Sequence, residues 1–388
     1  MRSGSRGSDG RNSKTLSKMP PCEVERMSNT VLNTMTSACR TLSIPTILLI
    51  IGLTAAMPAA NAQGKWVKLP PFPEPAEELL GAVAGGKFYV FAGLAPGFKP
   101  MGIVYEYDPG ANQWTKKKPM ALPSHHVAFT VYRDKIYAFG GFVPPPSGPP
   151  TWVPVNNAWE YDPAADTWKA LAPMPTKRGS PVAATVGDKI YVIGGATALP
   201  GSQDEGISGT RPQMSVGTVE EYDPAANTWR ERSSMPTARN HAAVGVVNGK
   251  IYVIGGRVGS AFISAGSTNI FAVEEYDPAA DRWGAPRARM LTPRSATAYG
   301  VYNGRIYVAG GEFQDARMAG AYRAVEAYDP AADTWAQMPP MPLQRHGLAG
   351  GVLGNRLYLV SGDVQSGGGG VDVATPEADA FEFDSANK

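Results

Sequence analysis

The chain has 388 residues with 44 glycines and 35 prolines, 43% hydrophobic residues, 18% charged residues and a formal net charge of +2. The apolar share is enough for a sizeable core and excludes disorder along the whole length. The near-neutral balance excludes binding to nucleic acid or another polyanion through bulk charge. Only two cysteines occur, Cys22 and Cys39, both near the N-terminus, so neither a disulfide framework nor a cysteine-rich metal site can be built.

Residues 1–43 are polar and mostly basic, with seven Lys or Arg against three acids, and read as a leader rather than a globular unit. An apolar run of about 14 residues follows, from Ile44 to Met57, and Ala60-Asn61-Ala62 supplies the small-x-small pattern of a signal peptidase site. The run is too short for a membrane span, which needs roughly 20 residues. Residues 44–62 are therefore expected to be the apolar region and cleavage site of a secretory signal, cut after Ala62. Initiation at Met27 or Met35 would give a leader of more ordinary length. The remaining unit, 63–388, has no cysteine and is expected to be secreted or periplasmic, monomeric and without a membrane span.

From there the chain repeats. Lys/Arg-hydrophobic-Tyr-hydrophobic-x-Gly-Gly occurs at 135–141, 189–195, 250–256 and 305–311, with looser copies at 87–93 and 356–362. Tyr-Asp-Pro followed by Trp seven residues after the Tyr occurs at 107–114, 161–168, 222–229, 276–283 and 328–335. Within each unit of about 54 residues a small or β-branched run leads to a turn pair such as Asn248-Gly249, then the Ile-Tyr-Val strand, a variable loop, a Tyr strand, a turn at Asp-Pro and a Trp strand. Four short antiparallel strands per repeat describe one blade of a propeller. These motifs resemble the Kelch repeat over 66–388, and the resemblance implies an all-β, six-bladed Kelch β-propeller.

The phase of the repeats predicts how the ring closes. The last unit ends on a third strand, Ala380-Phe-Glu-Phe-Asp384, while Trp66 lies 48 residues before Trp114, in step with the later Trp spacings. The segment 66–69 is thus expected to supply the outer strand of the sixth blade and to remove its open edge.

Spacing also locates a functional face. Phe72, Met120, Met174, Met235, Met290 and Met341 each precede the first position of the Gly-Gly pair by 20 residues, whereas the distance from that pair to the Trp varies from 22 to 35. Length variation is therefore confined to the loop between the second and third strands, on the face where the first strands begin, and repeat scaffolds concentrate binding in such loops. Residues four to six beyond the Met position should line this mouth. They include Glu77 and Glu78, His125 and His126, Arg178, Arg239 and His241, Arg294, and Arg345 and His346. Four guanidinium groups at one opening would favour an anionic small molecule, a sugar or a protein or peptide; bracing of neighbouring blades is the competing role for these arginines. Trp152, in a proline-rich loop, would either contact a ligand or pack over its own blade.

No metal and no cofactor is expected. Adjacent histidines on a strand point to opposite faces, and the arginines would repel a cation. The cysteine-tyrosine copper chemistry of galactose oxidase, another Kelch propeller, has no cysteine to use here. No nucleophile elbow, phosphate loop or zinc motif is present. The favoured function is a ligand-binding or protein-interaction module with no catalytic residue. The alternative follows from a similarity in plan to the periplasmic N-acetylneuraminate epimerases. It implies a sugar mutarotase or epimerase, with Glu205 as base and Arg211 as anion clamp in the longest variable loop, 196–218.

Overall fold

A computed structural model describes residues 64–97, 99–148, 151–202, 206–207, 213–260, 267–315, 317–367 and 373–384. The leader, the apolar run and the cleavage site, as well as Glu205 and Arg211, lie outside the described residues.

Six four-stranded antiparallel sheets form a ring, the first five each built in chain order from one repeat. The third blade is representative: Val182–Val186 is innermost, followed outward by Lys189–Ile193, Val219–Asp223 and Thr228–Arg232. The sixth closes as the repeat phase predicts. Ala349–Leu353, Arg356–Val360 and Ala378–Phe383 are completed by Gly64–Lys68, with Trp66 opposite Phe381. The segment that follows is anchored as well, since Leu69 and Phe72 are buried.

Each recurring residue has a physical task. The paired Tyr and Trp lie opposite each other on the third and fourth strands, as Tyr222 and Trp229 do. The Tyr hydroxyl donates to the residue five positions later, Asn227 in this blade, and the Trp indole N–H donates to a carbonyl of the preceding connector, Ala172. The Asp of Asp-Pro accepts from the two backbone amides that follow the proline, closing the turn. The Met positions are buried, and each later Met packs against the first glycine of the preceding blade's pair. At Gly140 the backbone is left-handed (φ 62°) and an added Cβ would stand 2.4 Å from the Arg178 carbonyl, so only glycine admits the next blade's chain.

The innermost strands converge at the axis around a channel of about 330 Å³ lined by residues such as Thr130, Thr185, Val246 and Val301. Closest approach falls at Gly81, where an added Cβ would lie 2.2 Å from the carbonyl oxygen of Gly350. Because that oxygen belongs to the backbone and cannot swing aside, Gly81→Ala is expected to cost about 1–3 kcal/mol in urea unfolding, the range for overpacking. An unchanged midpoint would mean that blades one and six are looser than this geometry.

Candidate functional site

The start of each first strand builds the rim of the channel, and the three positions predicted to line it have three different fates.

The fourth position beyond the Met is structural. Arg178, Arg239, Arg294 and Arg345 are at most 1% exposed, and each pairs with a carboxylate on the third strand of its own blade: Glu220, Glu274, Glu326 and Asp379. Arg178 and Arg294 stand 3.0 Å from their partners and Arg345 2.7 Å. Three of them also donate to a second-strand carbonyl, of Val192, Val253 and Val308. Burial draws each guanidinium below its ordinary pKa and the facing carboxylate pushes it back up. The expected guanidinium ring at the mouth is thus corrected: these groups are buried in the wall against carboxylates of their own blades. A signal for this was present in the repeats. The acid stands two residues before the third-strand aromatic wherever the arginine occurs, whereas blades one and two, with Ala76 and Ser124 in place of arginine, carry Tyr105 and Trp159 there.

The sixth position forms the inner collar. Glu78, His126, Ser180, His241, Ala296 and Gly347 all have left-handed backbones, φ between 53° and 56°. Backbone bonds run from blade to blade: Ser180 N–H to His126, His241 to Ser180, Ala296 to His241, Gly347 to Ala296, and Leu79 to Gly347. A small cavity of about 50 Å³ lies at this collar. The left-handed turn breaks strand alternation, so His125 and His126 do not point apart. Their rings lie 4.6 Å between centroids and their Nδ1 atoms touch. Both reasons for expecting no metal therefore fail, since the arginines are turned into the wall and neutralised.

The fifth position bridges to the residue just after the Gly-Gly pair, His125 with Phe142, Asn240 with Arg257, Ser295 with Glu312, and His346 with Asp363. That outer layer is divided. Blades one to three present Leu94, Phe142 and Ala196, and blades four to six present Arg257, Glu312 and Asp363, all buried. Trp152 is 8% exposed, stacks on Phe142 and covers both His125 and His126, while its backbone pairs with Ile207 in the next blade's loop. It is a roof rather than a ligand contact.

On the charged side Arg257 forms a buried ion pair with Glu312 and donates to His241 Nε2 at 2.9 Å. Glu312 also accepts from Ser366 Oγ and the Gly367 amide, at 2.8 and 3.1 Å. His346 Nε2 stands 3.4 Å from Glu77 and 3.9 Å from Glu312, and His126 Nε2 stands 3.3 Å from Glu78. Burial opposes charge on His346, but Glu312, Glu77 and Glu78 together raise its pKa to about 10. Glu312 also resists its burial and falls to about 2, through His346, Arg257 and Ser366. Burial holds His125 and His241 far below the usual imidazole value, His126 adding to the effect on the first and Arg257 on the second. Sequence reasoning missed Arg257, Glu312 and Asp363; the switch from apolar to charged residues after Gly-Gly was the available sign.

Comparison with known proteins agrees with this architecture. The Kelch motif matches 123–175, 177–236, 238–283 and 293–342, more than half of the chain. Kelch-like protein terF of Aspergillus terreus is 27% identical over 350 residues, covering 87% of this chain and 72% of that protein. Kelch-like protein 25 of Xenopus tropicalis is 28% identical over 262 residues, and the match spans 67% of this chain but only 40% of that protein. Among solved structures, that of YjhT superposes with a TM-score of 0.66 at 18% identity, covering 82% of this chain and 98% of that one, a likeness of fold alone. Repeats, ring closure and motif matches lead to one assignment: the chain belongs to the Kelch-repeat family, as a six-bladed β-propeller.

Proposed function

We propose that the chain is an exported interaction module that holds a protein partner on the loop-built face around its channel. One observation carries this reading. The exposed large hydrophobic side chains among the described residues are Leu199, Val258, Phe271, Leu291, Met318 and Val373, and all six belong to this face. Five stand in the variable loops between second and third strands, and Leu291 stands on the connector from blade four to blade five. Scattered surface hydrophobics are ordinary, but their confinement to one face of a disc fits a protein contact. The buried polar groups beneath the loops fit a small anionic ligand less well, because the arginines that would clamp it already face carboxylates.

Export rests on the leader and the small-x-small site at Ala60-Asn61-Ala62. The test uses the native host, with proximity labelling from the exported chain compared with a triple variant, Leu199→Asp, Met318→Asp and Val373→Asp. A partner labelled by the parent chain is expected to be lost from the variant, with the melting temperature unchanged. Mass spectrometry of the same parent protein is expected to find Gln63 at its N-terminus. A partner retained by the triple variant would sink the proposed face, and a membrane-held chain with its leader intact would sink export.

A further inference from the structure

We propose that the collar of the channel holds one divalent transition-metal cation, bound by Glu77, Glu78 and His346 where blades one and six meet. The inference is independent of the protein-partner reading and rests on four features of the site.

The first is convergence. Ligand atoms of Glu77, Glu78 and His346 lie within 4.8 Å of one another, and Glu77 and His346 are at most 4% exposed. Two carboxylates and an imidazole suit zinc or manganese, and their two negative charges match the ion's two positive ones.

The second is the state of His346. Its Nδ1 lies 2.6 Å from the Gln365 carbonyl, which fixes Nδ1 as the protonated nitrogen. Nε2 then faces the carboxylates and is buried, with Glu77 Oε2 at 3.4 Å and Glu312 Oε2 at 3.9 Å. Ligands held 2.0–2.2 Å from a common tetrahedral ion stand roughly 3.3–3.6 Å apart, a spacing that the Glu77–His346 pair already has.

The third is the support around Glu78. His126 Nε2, 3.3 Å from Glu78 Oε2, orients that carboxylate, and its other nitrogen is engaged by His125. Such outer partners fix the geometry of metal ligands. His241, by contrast, does not belong to the set: its Nε2 already accepts from Arg257 and meets Ser180 Oγ at 3.2 Å.

The fourth is Gly367, which covers the cluster from the loop side. A Cβ there would stand 3.5 Å from His346 Nε2, 3.8 Å from Glu312 Oε2 and 3.9 Å from Glu77 Oε2. These are ordinary contact distances, so the loop backbone lies directly against the charged heads. The cavity at the collar is lined in part by Glu78 and His126, and the Glu78 side chain is 12% exposed.

The test uses the whole chain without an affinity tag, stripped with a chelator and titrated separately with Zn²⁺ and Mn²⁺ by calorimetry. One ion per chain and a raised melting temperature are expected. His346→Gln and Glu78→Gln should each weaken binding at least about tenfold, within the usual range for losing a ligand or its support. As a check that needs no variant, Co²⁺ added to the unsubstituted chain should develop visible d–d bands of low-symmetry nitrogen and oxygen coordination. Lack of saturable one-to-one binding by Zn²⁺ and Mn²⁺, Co²⁺ without those bands, or affinity unaltered in all folded variants would each overturn the site.

Discussion

A chain beginning at Pro75 is expected to melt far below one beginning at Gln63, and to aggregate as it does so. The shorter chain lacks the strand Gly64–Lys68, which pairs along its whole length with Ala378–Phe383. It also lacks Leu69 and Phe72, each buried and each contributing about 1.5–3 kcal/mol. Trp66 goes too, with its edge-on contact to Phe381 at 5.2 Å. A loss of several kcal/mol in a domain of this size corresponds to a fall of roughly 5–10 °C. Aggregation follows because the third strand of blade six becomes an open edge. Differential scanning calorimetry of the two chains measures this. Equal melting temperatures would show that blade six stands with three strands and that closure adds nothing.

Replacing Arg294 with alanine is expected to destabilise the propeller by about 3–5 kcal/mol, the cost of leaving one buried charge of a pair without the other. Glu326 is 1% exposed, and its carboxylate would face the cavity left by the guanidinium. The companion experiment separates this penalty from the worth of the pair itself. Arg294→Met combined with Glu326→Leu fills similar volume without charge and should recover most of the loss, because buried ion pairs often do no better than well-packed apolar substitutes. Urea unfolding of the two variants gives both numbers. If alanine alone costs less than about 1 kcal/mol, the size of an exposed pair, Arg294 is solvated and open to ligands after all.

How far the sequence foretold this molecule differs between backbone and side chains. Strands, turns and ring closure could be read because their signals are local: Asn248-Gly249 makes a hairpin by itself, and Trp66 announces a strand by its spacing from Trp114. The arginines carry no such local signal, since Arg294 meets Glu326 across 32 residues, and their pairing shows only when the six repeats are compared with one another. His126 shows a second limit. Alternation along a strand sends neighbours to opposite faces, and one left-handed residue at φ 56° cancels that rule without any glycine to mark it. The charged residues after Gly-Gly, Arg257, Glu312 and Asp363, were visible as letters, yet their clustering depends on blades four to six being neighbours around a ring.

That division of the outer layer into an apolar half and a charged half has a consequence for how anything seated on the axis is oriented. A ring of six equal blades would offer a visitor six equivalent rotational settings, sixty degrees apart. With Leu94, Phe142 and Ala196 on one semicircle and Arg257, Glu312 and Asp363 on the other, the layer has a compass direction, running across the disc rather than along its axis. Five of these six settings are thereby made unequal to the first. A near-symmetric scaffold acquires a single heading from three residues that took no part in building its blades.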